Sequence, residues 1–207
     1  MPEKAETYRE LLKERRNPNG ALFSMTRFLL VLLAVFIIFI IIFTQILIGV
    51  QVCGPSMNPT LYGGVLGSDG IYRGGDYLFV NALDTPTYGD IIVFHSPDGS
   101  GEEIIKRVIG LPGDEISAEN GVLYRTNKGG EQTIVDEPYI TDGWTGSIKP
   151  YTVPDGMLYV LGDNRNDSTD SRRFGPVAFE DVLGVVTQWS YNCRAFLSDL
   201  FGFFRLT

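Results

Sequence analysis

The chain has almost none of the residues from which metal centres and disulfide frameworks are built. Of its 207 residues, two are cysteine (Cys53 and Cys193) and one is histidine (His95). Two cysteines do not make a disulfide framework, and the sequence leaves open whether they meet. A single histidine excludes a His/Cys zinc cluster. Lysine is scarce too: Lys4, Lys13, Lys106, Lys128 and Lys149 are all there are. Positive charge is not in excess. The formal net charge is −8, and nucleic acid, which wants a basic stripe, is excluded as a partner. No internal repeat is visible, and beyond residue 61 no long helical period. The length suits one domain plus an anchor.

Charge is missing altogether from residues 28–50, FLLVLLAVFIIFIIIFTQILIGV. Twenty-three uncharged, largely apolar residues are enough to cross a bilayer as a helix, at about 1.5 Å per residue. The preceding residues 1–27 carry Lys4, Arg9, Lys13, Arg15, Arg16 and Arg27. That flank predicts a cytoplasmic N-terminus, a membrane span over 28–50 and an extracytoplasmic body over 51–207. A short helix over residues 5–16 is expected, closed by Asn17-Pro18-Asn19-Gly20. A cleaved secretory signal fits poorly, because the run is too long and no Ala-x-Ala follows it. A lipoprotein signal fails on Gln51 and Val52, the neighbours of Cys53.

After residue 61 short apolar runs alternate with turn signals. Runs at 77–82, 91–95, 104–109, 121–124, 132–135, 157–161 and 182–189 are separated by segments such as Pro97-Asp98-Gly99, Pro112-Gly113-Asp114 and Pro154-Asp155-Gly156. This texture predicts a mainly β, all-β catalytic body. Asn120-Gly121 predicts a type I′ hairpin turn. The apolar stretch 195–206 is too short to span; a core element and a membrane-surface element both remain open.

Between anchor and body stands Gly54-Pro55-Ser56-Met57-Asn58-Pro59-Thr60. Two prolines and a glycine hold Ser56 in a restricted turn. Such a turn displays a nucleophile, and it also builds an ordinary corner. A serine nucleophile needs a neutral base within reach. His95 closes the 91–95 run and reads as a solvent-exposed strand end. Among the lysines only Lys106 is embedded in an apolar strand, Ile104-Ile105-Lys106-Arg107-Val108-Ile109. Alternation puts it with Ile104 and Val108, and both faces of the strand are apolar. A buried lysine can lose its proton, which arginine cannot; a snorkelling lysine with a packed stem is the other reading. The polar loop Gly162–Pro176 fails as an EF-hand at its third, sixth and twelfth positions. It reads instead as a support in which Asp170 pairs Arg172 and Ser168 hydrogen-bonds a neighbouring amine.

Three segments in order resemble bacterial type I signal peptidases: Gly54 to Thr60, Lys106-Arg107-Val108-Ile109-Gly110-Leu111-Pro112-Gly113-Asp114, and Gly162-Asp163-Asn164-Arg165 through Ser168, Asp170, Ser171 and Arg172. The resemblance runs from about residue 52 to 175, and the anchor agrees with it. It implies a membrane-bound endopeptidase that removes signal peptides from preproteins after Ala-x-Ala-type sites, without metal or cofactor. By similarity Ser56 is the nucleophile and Lys106 the general base. Ser168 orients the amine, and Asp170 and Arg172 form a supporting ion pair. Met57 is expected in the substrate pocket and the Ser56 amide in the oxyanion hole. Some members carry a serine two residues before the nucleophile; here Gly54 stands there, leaving the second oxyanion donor unassigned. A non-enzymatic tethered β domain and a Ser56/His95 hydrolase are the competing readings.

Overall fold

The computed structural model describes residues 18–141 and 143–204. Residues 5–16, where a short helix is expected, lie outside them. Two compact units are found, divided between Gln45 and Ile46.

The described part of the first unit is helix α1 (Pro18–Ile46), whose last residue falls in the second unit. The Pro-Asn-Gly run that looks like a helix stop is its start, since proline at a first helical position loses no hydrogen bond. Its apolar part, Phe23–Ile46, is 24 residues, about 36 Å of helix against a hydrocarbon core of about 30 Å. Side chains over residues 23–41 are exposed, leaving this apolar surface uncovered by protein.

The second unit is mainly β. Its strands are β1 (Leu47–Gln51), β2 (Val65–Leu66), β3 (Tyr72–Arg73), β4 (Tyr77–Asn81), β5 (Ile91–His95), β6 (Glu103–Gly110), β7 (Glu115–Glu119), β8 (Val122–Thr126), β9 (Gln132–Ile134), β10 (Ile148–Thr152), β11 (Met157–Leu161), β12 (Val177–Ala178) and β13 (Val182–Val186). Seven form one sheet in the order β1-β4-β13-β5-β6-β11-β12, four form a second in the order β10-β7-β8-β9, and β2 and β3 make a separate hairpin. Asn120 and Gly121 both have positive φ, 50° and 83°, as a type I′ turn requires, and they join Glu119 to Val122.

Two boundaries differ from the sequence reading. Residues 47–50, assigned above to the membrane span, belong to β1. They pair antiparallel with β4, from Leu47↔Asn81 to Gln51↔Tyr77, and Val50 is buried in the core. An apolar run has the same appearance in a span and in a buried strand, so hydropathy alone places no boundary there. A side chain at Gly49 would lie 2.2 Å from the Tyr77 hydroxyl, which only glycine avoids. At the other end the run 182–189 stops as strand at Val186, and Gln188–Asn192 is helix α3. Here α2 denotes the intervening Ser171–Phe174.

The C-terminal helix α4 (Arg194–Phe204) packs on β4. Tyr77 stacks on Phe201 with ring centroids 4.3 Å apart, and the Tyr77 amide donates to Ser198 Oγ at 2.8 Å. Its opposite side leaves Phe196 exposed.

Three apolar clusters hold the second unit. One lies beneath the residue-56 turn and includes Val50, Val52, Met57, Leu61, Leu78, Val80 and Val93. A second, with Ile92, Phe94, Val108, Leu158 and Val160, fills the middle of the large sheet. The third, around Ile116, Leu123 and Leu161, joins the two sheets.

Candidate active site

Ser56 lies in a one-turn 3-10 helix, Pro55–Met57, with proline at its start. Gly54 precedes it at φ 88°, ψ 165°, a backbone region that is essentially glycine's alone. Met57 fixes the turn from beneath: its side chain is fully buried in the core. It is not among the residues that line the cleft above Ser56. The place expected for Met57, the substrate pocket, is therefore not where its side chain sits. In so short a turn, successive side chains diverge, and the apolar one goes to the core.

Two carbonyls of the turn are held by Asn164. Its amide donates to Ser56 O at 3.0 Å and its Nδ2 to Pro55 O at 3.2 Å. Gly162 allows this approach. A Cβ there would lie 2.2 Å from Ser168 Oγ and 2.5 Å from Ser56 O, so the polar loop touches the nucleophile turn with no room for a side chain.

Lys106 reaches Ser56 from β6. Its Nζ donates to Ser56 Oγ at 2.8 Å and to Ile105 O at 2.7 Å. The lysine is 3% exposed, which decides between the two readings of its strand: it is buried and does not snorkel. Burial pushes its pKa down to about 8, against the opposing pull of Asp170 and Asp163. A substantial neutral fraction therefore exists in mildly alkaline solution, and a neutral amine can accept the proton of Ser56.

Asp170 is fully buried. It accepts from the Gly162 amide at 3.0 Å and from Arg172 Nε and Nη2, each at 2.7 Å. Burial acts to raise its carboxyl, but the Arg172 guanidinium outweighs this and holds it below the usual carboxylate range. Ser168 Oγ is buried and has no partner within hydrogen-bond distance and angle, although it is close enough to Asp170 to help lower that carboxyl. The expected bond from Ser168 to the Lys106 amine is not formed; the acceptors of Nζ are Ser56 Oγ and Ile105 O.

A second ion pair flanks the lysine. Arg107 Nε and Nη2 donate to Asp163 at 2.9 and 2.6 Å, and Arg107 lies over the Tyr139 ring, 4.1 Å from its centroid. Arg165, also buried, pairs with Glu137 and donates to Gly162 O at 3.1 Å. Trp144 sits beside both Arg165 and Arg172, at 5.5 and 5.7 Å. Glu137, Tyr139 and Trp144 escape the sequence reading because they come from a stretch without periodicity, between β9 and β10.

His95 is exposed and pairs with Glu103 across the ladder, whereas Lys106 pairs with Ile92. Three residues of strand put it about 10 Å from the lysine. Replacing His95 by alanine is expected to leave cleavage within about twofold of wild type in a peptide-bond hydrolysis assay. A hundredfold loss would transfer the base role to it.

Ser56 and Lys106 open into a cleft of 750 Å³, whose apolar lining includes Val50, Val52, Val93, Ile104 and Ile105. Gly54 is on its wall and so is Tyr72. Chemically, a serine hydroxyl joined to a buried amine of lowered pKa, on the wall of a cleft, has the make-up of a serine hydrolase with an amine as base.

Comparison with known proteins finds a peptidase family. Residues 25–191 match the family model described as signal peptidase, peptidase S26. The chain is 39% identical over 163 residues to signal peptidase I of Bacillus caldolyticus, covering 69% of this chain and 80% of that one. It is 31% identical over 174 residues to signal peptidase IB of Staphylococcus aureus, covering 73% and 82%. With the probable signal peptidase I-1 of Synechocystis it shares 36% identity over 121 residues, 53% of this chain and 59% of that one, so it spans under two thirds of that relative's length. The chain belongs to the signal peptidase family, peptidase S26, and is an enzyme of the signal peptidase I type.

Proposed function

We propose that this enzyme cleaves signal peptides from exported preproteins after small residues, using Ser56 as nucleophile and Lys106 as general base. The observation that carries the reading is the 2.8 Å bond between Lys106 Nζ and Ser56 Oγ at a lysine 3% exposed. Once the amine is neutral, the sense of this bond reverses and Ser56 O–H donates. Ser56 Oγ attacks the scissile carbonyl as Lys106 takes its proton. The oxyanion is met by the Ser56 amide. The intermediate collapses when the Lys106 ammonium protonates the departing amine, leaving an acyl-enzyme. Water then attacks, losing its proton to Lys106, and Ser56 leaves with that proton. Asp170 and Arg172 hold the loop that carries Ser168. A turn of Ser168 Oγ toward the amine would give Lys106 the partner it needs after it lets go of Ser56.

Sheet topology supports binding of the substrate as an added strand. β6 pairs with β5 from Glu103 to Arg107, but with β11 only from Arg107 onward. Its residues 103–106 therefore keep one free edge. β1 has β4 as its single neighbour. Both strands wall the cleft, and an extended peptide can satisfy open main-chain groups there. The branched side chains of Val50, Val52, Val93, Ile104 and Ile105 leave room for small substrate residues and exclude large ones by overpacking. Anchoring through α1, with the basic N-terminal flank in the cytoplasm and the β unit outside, follows from the charge asymmetry.

The test is cleavage of a preprotein by the purified full chain, with Ser56→Ala as blank. Processing is expected with alanine before the cut. Leucine or phenylalanine at that position is expected to lower kcat/KM about a hundredfold. Equal cleavage of the bulky substrates, or any cleavage by Ser56→Ala, would overturn the proposal.

A further inference from the structure

An oxyanion needs more than one donor for full stabilisation, and the Ser56 amide is one. The residue two before the nucleophile cannot supply the other here. Gly54 has no side chain, and its φ of 88° with ψ 165° belongs to a region that side-chain-bearing residues do not readily enter. The second donor has to come from another residue that lines the cleft.

The polar residues on the cleft wall narrow the choice. Glu102, Glu103 and Asp167 are carboxylates, which accept and do not donate when ionised. Gln51 already turns its Nε2 to Gly75 O. Cys53 is exposed, and a thiol is a weak donor. Thr169 is exposed and belongs to the loop that serves the lysine. Tyr72 is left. It lies on the β2–β3 hairpin, opposite Leu66, and is part-buried. Its ring is what a residue-54 side chain would meet: Cε2 lies 3.9 Å from the position of a Cβ built on Gly54, with nothing else within 4 Å. The hydroxyl is attached to the carbon next to Cε2. Tyr72 thus lines the same cleft as Gly54 and Ser56, with its ring edge within van der Waals reach of a side chain at position 54.

We propose that Tyr72 is a catalytic residue, its hydroxyl donating the second hydrogen bond to the oxyanion in place of a side chain at position 54. This rests on the assignment of Ser56 as nucleophile. The phenol O–H is a hydrogen-bond donor, and the role of proton acceptor stays with Lys106. In the resting enzyme it stands on an open wall. In the tetrahedral intermediate it and the Ser56 amide would converge on the same oxygen.

Tyr72→Phe keeps the ring and its place on the hairpin, and removes only the donor. In steady-state cleavage of a preprotein by the full chain, kcat is expected to fall about a hundredfold. KM should stay within about twofold, and the pH at which activity rises should not move. Thermal unfolding should coincide with wild type. A kcat within threefold of wild type would overturn the proposal, and so would a loss carried by KM, which would make Tyr72 a wall of the substrate site only. Tyr72→Leu, lacking ring and hydroxyl, is expected to match Tyr72→Phe in kcat and to raise KM further. A Tyr72→Leu kcat far below that of Tyr72→Phe would place the effect in packing and count against the hydroxyl. Activity in Ser56→Ala, run alongside, would remove the nucleophile assignment itself and is read separately from the Tyr72 result.

Discussion

Replacing Lys106 by methionine is expected to lower preprotein cleavage about a thousandfold or more while raising stability at neutral pH. The two effects share one cause. The lysine is buried, and its pKa is pushed down from 10.5 to about 8. A difference of that size means that folding at pH 7 opposes the charged amine by about 3 kcal/mol. Below pH 8 the cost is present in full. Between pH 8 and 10.5 the unfolded chain still binds the proton and the folded chain does not, so the cost is relieved as pH rises. Methionine fills much the same volume without charge, but it leaves Ile105 O and Ser56 Oγ without their donor, a loss of about 1 kcal/mol each. The net gain is about 1 kcal/mol at pH 7, shrinking toward alkaline pH. Urea unfolding at pH 7 and pH 10 measures it. Lys106→Arg is expected to be equally inactive and, above pH 8, less stable than wild type, because arginine cannot shed its charge where the lysine does. In the wild-type enzyme kcat/KM should rise with pH and level off above about 8. A flat profile, or substantial activity in either variant, would remove lysine from the base role.

Asp163→Ala is expected to cost about 3–5 kcal/mol, because it leaves the Arg107 guanidinium buried without its partner. The carboxylate has no exposed side-chain surface and Arg107 only 13%, so solvent cannot take its place. Arg107 keeps its bond to Gly89 O and its stacking on Tyr139, which limits the loss to the pair itself. The melting temperature should fall on the order of 10 °C. Kinetics provide a second readout. Asp163 is one of the two carboxylates that raise the Lys106 pKa. Without it the lysine loses its proton more readily, and the acid limb of the pH profile moves to lower pH. A limb that moves upward, or an unchanged melting temperature, would contradict this account of the pair.

The main elements of the site were legible in the chain because their signals are local. Ser56 stands between prolines, and Lys106 interrupts an apolar strand. Ser168, Asp170 and Arg172 crowd one polar loop. Two readings went astray where a local pattern has two meanings. Met57 follows the nucleophile in sequence but turns into the core, since a one-turn helix sends neighbouring side chains to different sides. Residues 47–50 continue the apolar run of α1, yet β4 is there to pair with them. Other residues had no local signal. Glu137, Tyr139 and Trp144 meet Arg107, Arg165 and Arg172 only after the chain has folded. Tyr72 reaches Gly54 across a hairpin whose path the sequence does not trace.

Composition, charge and motif order by themselves determined a great deal: a β-rich enzyme behind one apolar helix, its family, and the serine and lysine that stand out in it. The physical reason is that turn chemistry, strand alternation and uncharged runs act over a few residues. Tertiary structure alone decided that Lys106 is dry enough for its pKa to drop toward 8, because desolvation is a property of everything packed around a group. Likewise it alone decided that the free edges of β1 and β6 wall one cleft. Strand order decides which main-chain groups are left unpaired, and strand order is not written in any one strand.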